Sequence, residues 1–80
     1  MSIELQLPRV GTSMEEAQIM KWHKAPGDAF SEGEALYDIE TDKVTYTVEA
    51  TMSGRITAIN VPEGEVATVG QVVATAEAAP

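Results

Sequence analysis

"ALYDIETDKVTYTVEA", residues 35–50, holds two alternating runs, 35–41 and 44–50, with only Asp42 and Lys43 between them. In the second run Val44, Tyr46 and Val48 share one face. Alternation at period two marks a half-buried strand, so the stretch predicts a β-hairpin with a two-residue loop. That loop is chemically odd. Tight hairpins favour Asn-Gly or Asp-Gly because both central residues take positive φ. Lysine gains nothing there, although a type I turn accepts Asp followed by Lys at the cost of a poorer match to strand twist. A lysine on a hairpin is ordinarily a solubility device, and Asp38, Glu40 and Asp42 form an every-second-residue acidic stripe that reads as a solvated strand face. The alternative is that Lys43 is a handle for something attached afterwards.

Outward from the hairpin, further short strands follow at regular spacing. "IELQLP" sets Ile3, Leu5 and Leu7 on one face before Pro8 ends the run. Residues 9–16 read as a polar loop. Its "SMEE" could cap a helix, but no amphipathic run follows, so a strand is expected over 17–24. "APGD" (25–28) and "PEGE" (62–65) are turns, and "SGRITAINV" (53–61) and "QVVATAE" (71–77) are strands. Ile19/Trp22 and Ile56/Ile59, each three apart, break strict alternation and predict a kink or bulge. Short strands with turn signals and no convincing helix indicate an all-β sandwich or barrel.

The chain also echoes itself. "GDAFSEG" (27–33) and "GEVATVG" (64–70) match at an offset that also pairs Ile19 with Ile56, Leu36 with Val73 and Glu40 with Glu77. Two copies are too few to stack as a solenoid. Two similar halves about an approximate twofold fit better, with Lys43 near the midpoint, opposite the chain termini.

Composition narrows the possible functions. Eighty residues make one domain, and a chain so short buries only roughly 60% of the surface it exposes when unfolded. With no cysteine and one histidine, His23, neither a disulfide framework nor a metal site is expected. Thirteen acidic residues against five basic ones give a net charge of −8, which argues against nucleic acid and anionic membranes as partners. No run approaches the roughly 18 apolar residues of a membrane span, and no secretion-signal pattern opens the chain. The expected address is an intracellular aqueous compartment. The closing "ATAEAAP" drifts into alanine and proline, as a stiff linker would. The expected division is one domain over 1–77 with the start of a linker at 78–80.

The Gly27-Asp28 turn, Gly33, "IETDKV" at 39–44, Gly54, "EGE" at 63–65 and Gly70, in this order, closely resemble the lipoyl domain of the acyltransferase component of 2-oxo acid (or acetoin) dehydrogenase complexes. The resemblance covers nearly the whole chain. It implies a flattened β-barrel of two four-stranded antiparallel sheets with quasi-twofold symmetry, and lipoic acid joined as an amide to Lys43. It implies that Glu40, Thr41, Asp42 and Val44 on the hairpin, and Val10, Gly11, Thr12, Ser13 and Met14 in the neighbouring loop, serve recognition. The implied cycle uses a thiamine-diphosphate decarboxylase that reductively acylates the lipoyl group, an acyltransferase core that passes the acyl group to coenzyme A, and an FAD-dependent dihydrolipoamide dehydrogenase that reoxidises the dithiol. A lipoate-attaching ligase or transferase would load the lysine. The isolated domain would be a monomer and no enzyme by itself, since the cofactor carries the hard chemistry. A biotin carrier shares the architecture, but its lysine normally lies between two methionines, whereas Asp42 and Val44 flank this one. A cofactor-free β module used for docking is the rival from another class.

Overall fold

In the computed structural model, residues 2–10 and 14–79 are described. They form eight strands: β1 (Ser2–Gln6), β2 (Glu16–Trp22), β3 (Ala29–Phe30), β4 (Ala35–Glu40), β5 (Thr45–Glu49), β6 (Gly54–Ile59), β7 (Val66–Thr68) and β8 (Val72–Ala78). No helix occurs among the described residues. One four-stranded sheet has the order β1-β8-β6-β3 and the other β5-β4-β2-β7, with every pairing antiparallel. The expected all-β sandwich is therefore present. The strand expected over 17–24 starts one residue earlier and ends at Trp22, so Lys24 lies just beyond it. Ala79 continues from β8 with its N–H on the Ser53 carbonyl at 2.9 Å.

The sequence echo becomes a spatial twofold. Replacing β1, β2, β3 and β4 by β5, β6, β7 and β8, and the reverse, turns one sheet order into the other. Backbone bonds repeat in the same way. Gly27 N–H reaches the Ile56 carbonyl at 2.7 Å, and Gly64 N–H reaches the Ile19 carbonyl at the same 2.7 Å. Both glycines carry left-handed φ, 95° and 89°, where a side chain would be strained. The bulges expected near Ile19 and Ile56 are present too: register shifts fall between Ile19 and Lys21 and between Ile56 and Ala58. The twofold carries the pair Glu40↔Thr45, at the mouth of the hairpin, onto the pair Glu77↔Ser2 beside the chain ends. The hairpin thus occupies in one sheet the place that the termini hold in the other.

The symmetry is one of backbone, not of side-chain volume. Phe30, Tyr37 and Ile39 in the first half correspond to Ala67, Ala74 and Ala76 in the second, and all six are buried. Large residues of one half thus share the core with small residues of the other, the alternation of sizes that lets facing layers interdigitate. Leu7, Ile19, Ile56 and Val73 complete its inaccessible centre. Trp22 packs on Tyr37 with ring centroids 4.6 Å apart and donates from Nε1 to the Val61 carbonyl at 2.9 Å. Half-buried, it packs against the edge of the core while its polar edge is satisfied.

Candidate functional site

β4 ends at Glu40 and β5 begins at Thr45, and the turn between them is closed by Thr41 N–H on the Val44 carbonyl at 2.8 Å. No described residue other than glycine has positive φ, which excludes the mirror-image turns that glycine usually serves. The Thr41 side chain replaces glycine. Its Oγ1 accepts from Lys43 N–H at 3.3 Å and Val44 N–H at 3.2 Å, and donates to the Val44 carbonyl at 3.3 Å. A hydroxyl has one donor and two acceptor lone pairs, so all of its capacity is spent inside the turn. This role was not legible in the sequence, where Thr41 reads as one more β-branched strand residue.

Lys43 is exposed, and its ammonium makes no hydrogen bond or ion pair among the described residues. Of the other four basic side chains, three make hydrogen bonds or ion pairs, and Lys21 makes none among the described residues. Arg9 donates to the Met14 carbonyl at 3.0 Å, Arg55 to the Gly27 carbonyl at 2.8 Å, and Lys24 to Glu34 at 3.1 Å. Lys21 lies near enough to Asp38 to favour its charged form. An exposed amine on a hydrogen-bonded turn, with no partner among the described residues, suits a covalent tether.

The described ends of the loop after Pro8 lie beside the hairpin. Val10, Met14, Glu15 and Glu16 face Thr41, Asp42, Lys43 and Val44 across an open cleft of about 610 Å³. Met14 is buried, and its sulfur accepts the Val10 N–H at 3.3 Å, which pins the described ends of the loop together. Of the expected recognition residues, Glu40, Asp42 and Val44 are exposed, Thr41 and Val10 are half-buried, and Gly11, Thr12 and Ser13 lie outside the described residues. Val44, Tyr46 and Met20 are large apolar side chains exposed on this part of the surface.

The acidic stripe is not uniformly solvated. Asp38 Oδ1 sits 3.0 Å from His23 Nε2 and accepts from Thr47 Oγ1 at 2.8 Å. The bond to His23 and then that to Thr47 hold its carboxyl below the usual value, aided by charge from His23 and Lys21. Glu34 is lowered likewise, first by the Ser31 N–H and then by Lys24. A depressed carboxyl pKa stabilises the fold fully above the unfolded value and ceases to do so as pH falls through the native one. Melting temperature should therefore decline below about pH 4, and the variant E34Q/D38N should show a shallower acid limb. Thermal melts from neutral pH to about pH 2 check this; identical slopes would contradict it.

The sequence profile of the family described as biotin-requiring enzyme matches residues 3–76. Among solved structures, the lipoyl domain of the 2-oxoglutarate dehydrogenase complex from Azotobacter vinelandii superimposes with a TM-score of 0.74 at 34% identity, covering 92% of this chain and 94% of that one. The chain is a lipoyl domain. Its relatives by sequence include the dihydrolipoyllysine-residue succinyltransferase component of the 2-oxoglutarate dehydrogenase complex of Rickettsia typhi, 47% identical over 89% of this chain. The acetyltransferase component of the Bacillus subtilis pyruvate dehydrogenase complex is 35% identical over 98% of it. The lipoyl domain spans 18% of the length of either relative. A single-chain, multi-domain long-chain acyl-CoA carboxylase superimposes with a TM-score of 0.81 at 15% identity, which speaks for the shared fold.

Proposed function

We propose that this lipoyl domain carries lipoic acid as an amide on Lys43 and serves as the swinging arm of a 2-oxo acid or acetoin dehydrogenase complex. One observation carries the reading: Lys43 stands exposed on a turn built without glycine, and its ammonium has no partner among the described residues. The residues present fit the group, because an amide there needs only a free amine and clear space. Lipoate on Lys43 would supply a strained cyclic disulfide, the acyl- and electron-carrying chemistry that a thiamine-diphosphate decarboxylase, an acyltransferase core and an FAD-dependent dehydrogenase would use in turn.

The chain's own residues have other tasks. The two sheets hold the base of the arm rigid. Glu40, Asp42 and Val44 on the hairpin, with Val10 across the cleft, present a surface for the ligase and the decarboxylase to recognise. Glu15, Glu16 and Asp42 line that cleft, so a basic partner surface is the complement, and association should weaken with salt. Tethering to a larger assembly would raise the effective concentration at each partner site to roughly millimolar for a short flexible linker. The corresponding compartment is the bacterial cytoplasm or the mitochondrial matrix.

The test is acylation of the lipoylated domain by separate decarboxylases, each with its own substrate: pyruvate, 2-oxoglutarate, a branched-chain 2-oxo acid and acetoin. One pairing should exceed the others by at least tenfold in kcat/KM, and that pairing names the complex. No acylation in any pairing, with lipoate present by mass, would contradict the reading.

A further inference from the structure

We propose that Thr41 is a positioning residue for the modification of Lys43: its hydroxyl fixes the turn in the shape in which an attaching enzyme takes up the lysine. The inference rests on the carrier reading of Lys43 and extends it. In an ordinary two-residue hairpin the outer residues exchange both N–H···O=C bonds. Here only one is backbone to backbone, Thr41 N–H to the Val44 carbonyl at 2.8 Å. The returning Val44 N–H goes instead to Thr41 Oγ1 at 3.2 Å, and the Lys43 N–H goes to the same oxygen at 3.3 Å. The amide of the modified residue is therefore held directly by Thr41, two positions back. The same hydroxyl donates to the Val44 carbonyl at 3.3 Å. This lets Asp42 and Lys43 turn the chain with negative φ, where a lysine is unstrained.

In the step served, the neutral Lys43 amine attacks the carbonyl of a lipoyl adenylate, made by the ligase from lipoate and ATP. The amide C–N bond forms, the acyl–phosphate bond breaks, AMP departs and the nitrogen releases one proton. Thr41 touches none of the reacting atoms. Its effect is on the fraction of turns already in the accepted shape, and a ligand's apparent affinity falls in proportion to that fraction.

The test compares wild type, T41V and T41S as substrates of a lipoate ligase with ATP and lipoic acid, alongside amide exchange of the unmodified proteins. Thr41→Val keeps size and branching but removes the acceptor. It should lower kcat/KM roughly fivefold, as expected for losing a net hydrogen bond or so, through KM with kcat little changed. The Lys43 and Val44 amides should exchange faster while those paired within β4 and β5 stay protected, and Thr41→Ser should restore both readouts. Equal kcat/KM for T41V and wild type, unchanged exchange at Lys43 and Val44, or failure of Ser to rescue would overturn the proposal while leaving the carrier reading standing. A wild-type domain that accepts no lipoate would overturn both.

Discussion

Replacing Lys43 with arginine is expected to leave a folded domain that takes up no lipoate and accepts no acyl group. Arginine keeps the charge and most of the reach, so electrostatic recognition at the hairpin is largely preserved. Its guanidinium stays protonated at any pH a protein survives and offers no lone pair for attack on an activated carboxylate. The fold should be indifferent, because the Lys43 side chain makes no hydrogen bond or ion pair with the described residues, and exposed substitutions of that kind stay within about 0.5 kcal/mol. Intact mass after incubation with ligase, ATP and lipoate, together with transfer of labelled acyl groups from a 2-oxo acid, should both read background. A modified and acylated K43R domain would refute the assignment.

The largest expected loss of stability comes from Gly54→Ala. Gly54 corresponds under the twofold to Ala17, and their cross-strand partners, Phe30 and Ala67, correspond too. One sheet uses two small side chains where the other combines a phenyl ring with a bare backbone. A Cβ at Gly54 would collide with the Glu77 carbonyl oxygen and lie 3.0 Å from the tip of Phe30. The first obstacle is main chain in the paired strand β8, so shrinking Phe30 does not remove it. Overpacking of this kind costs about 3 kcal/mol, a large share of the roughly 4–12 kcal/mol available to a domain of this length. The melting temperature should fall by about 15 °C, read by circular dichroism. A change of less than about 3 °C would show that β6 and β8 can part at this point without penalty.

Much of the fold was legible because it rests on short-range patterns. The hairpin announces itself by alternation on both sides of Asp42 and Lys43, and the twofold by the matched glycines at 27 and 64. The bulges show as three-residue spacings at Ile19/Trp22 and Ile56/Ile59. β3 and β7 were not legible. Strands of two and three residues, Ala29–Phe30 and Val66–Thr68, bury one side chain each, and one inward residue makes no period.

At the site, Lys43 could be singled out by the chain-wide order of motifs and not by its immediate neighbours, and the means of holding it could not be read at all. Thr41 acts through geometry that appears only once the turn is closed. The hydrogen bond between His23 and Asp38 depends on the register shift that sets Lys21 opposite Asp38 and Trp22 opposite Tyr37, and no local motif encodes it. Asp38 accordingly looked like solvated decoration when it is in fact held by two neighbours.

Locating the adduct on the wild-type chain tests the account most directly. The domain, treated with ligase, ATP and lipoic acid, would be digested and its peptides sequenced by tandem mass spectrometry. Lipoate on Lys43 alone, with Lys21 and Lys24 unmodified, is the expected result. Lipoate on Lys21 or Lys24, or none on any lysine, would contradict it.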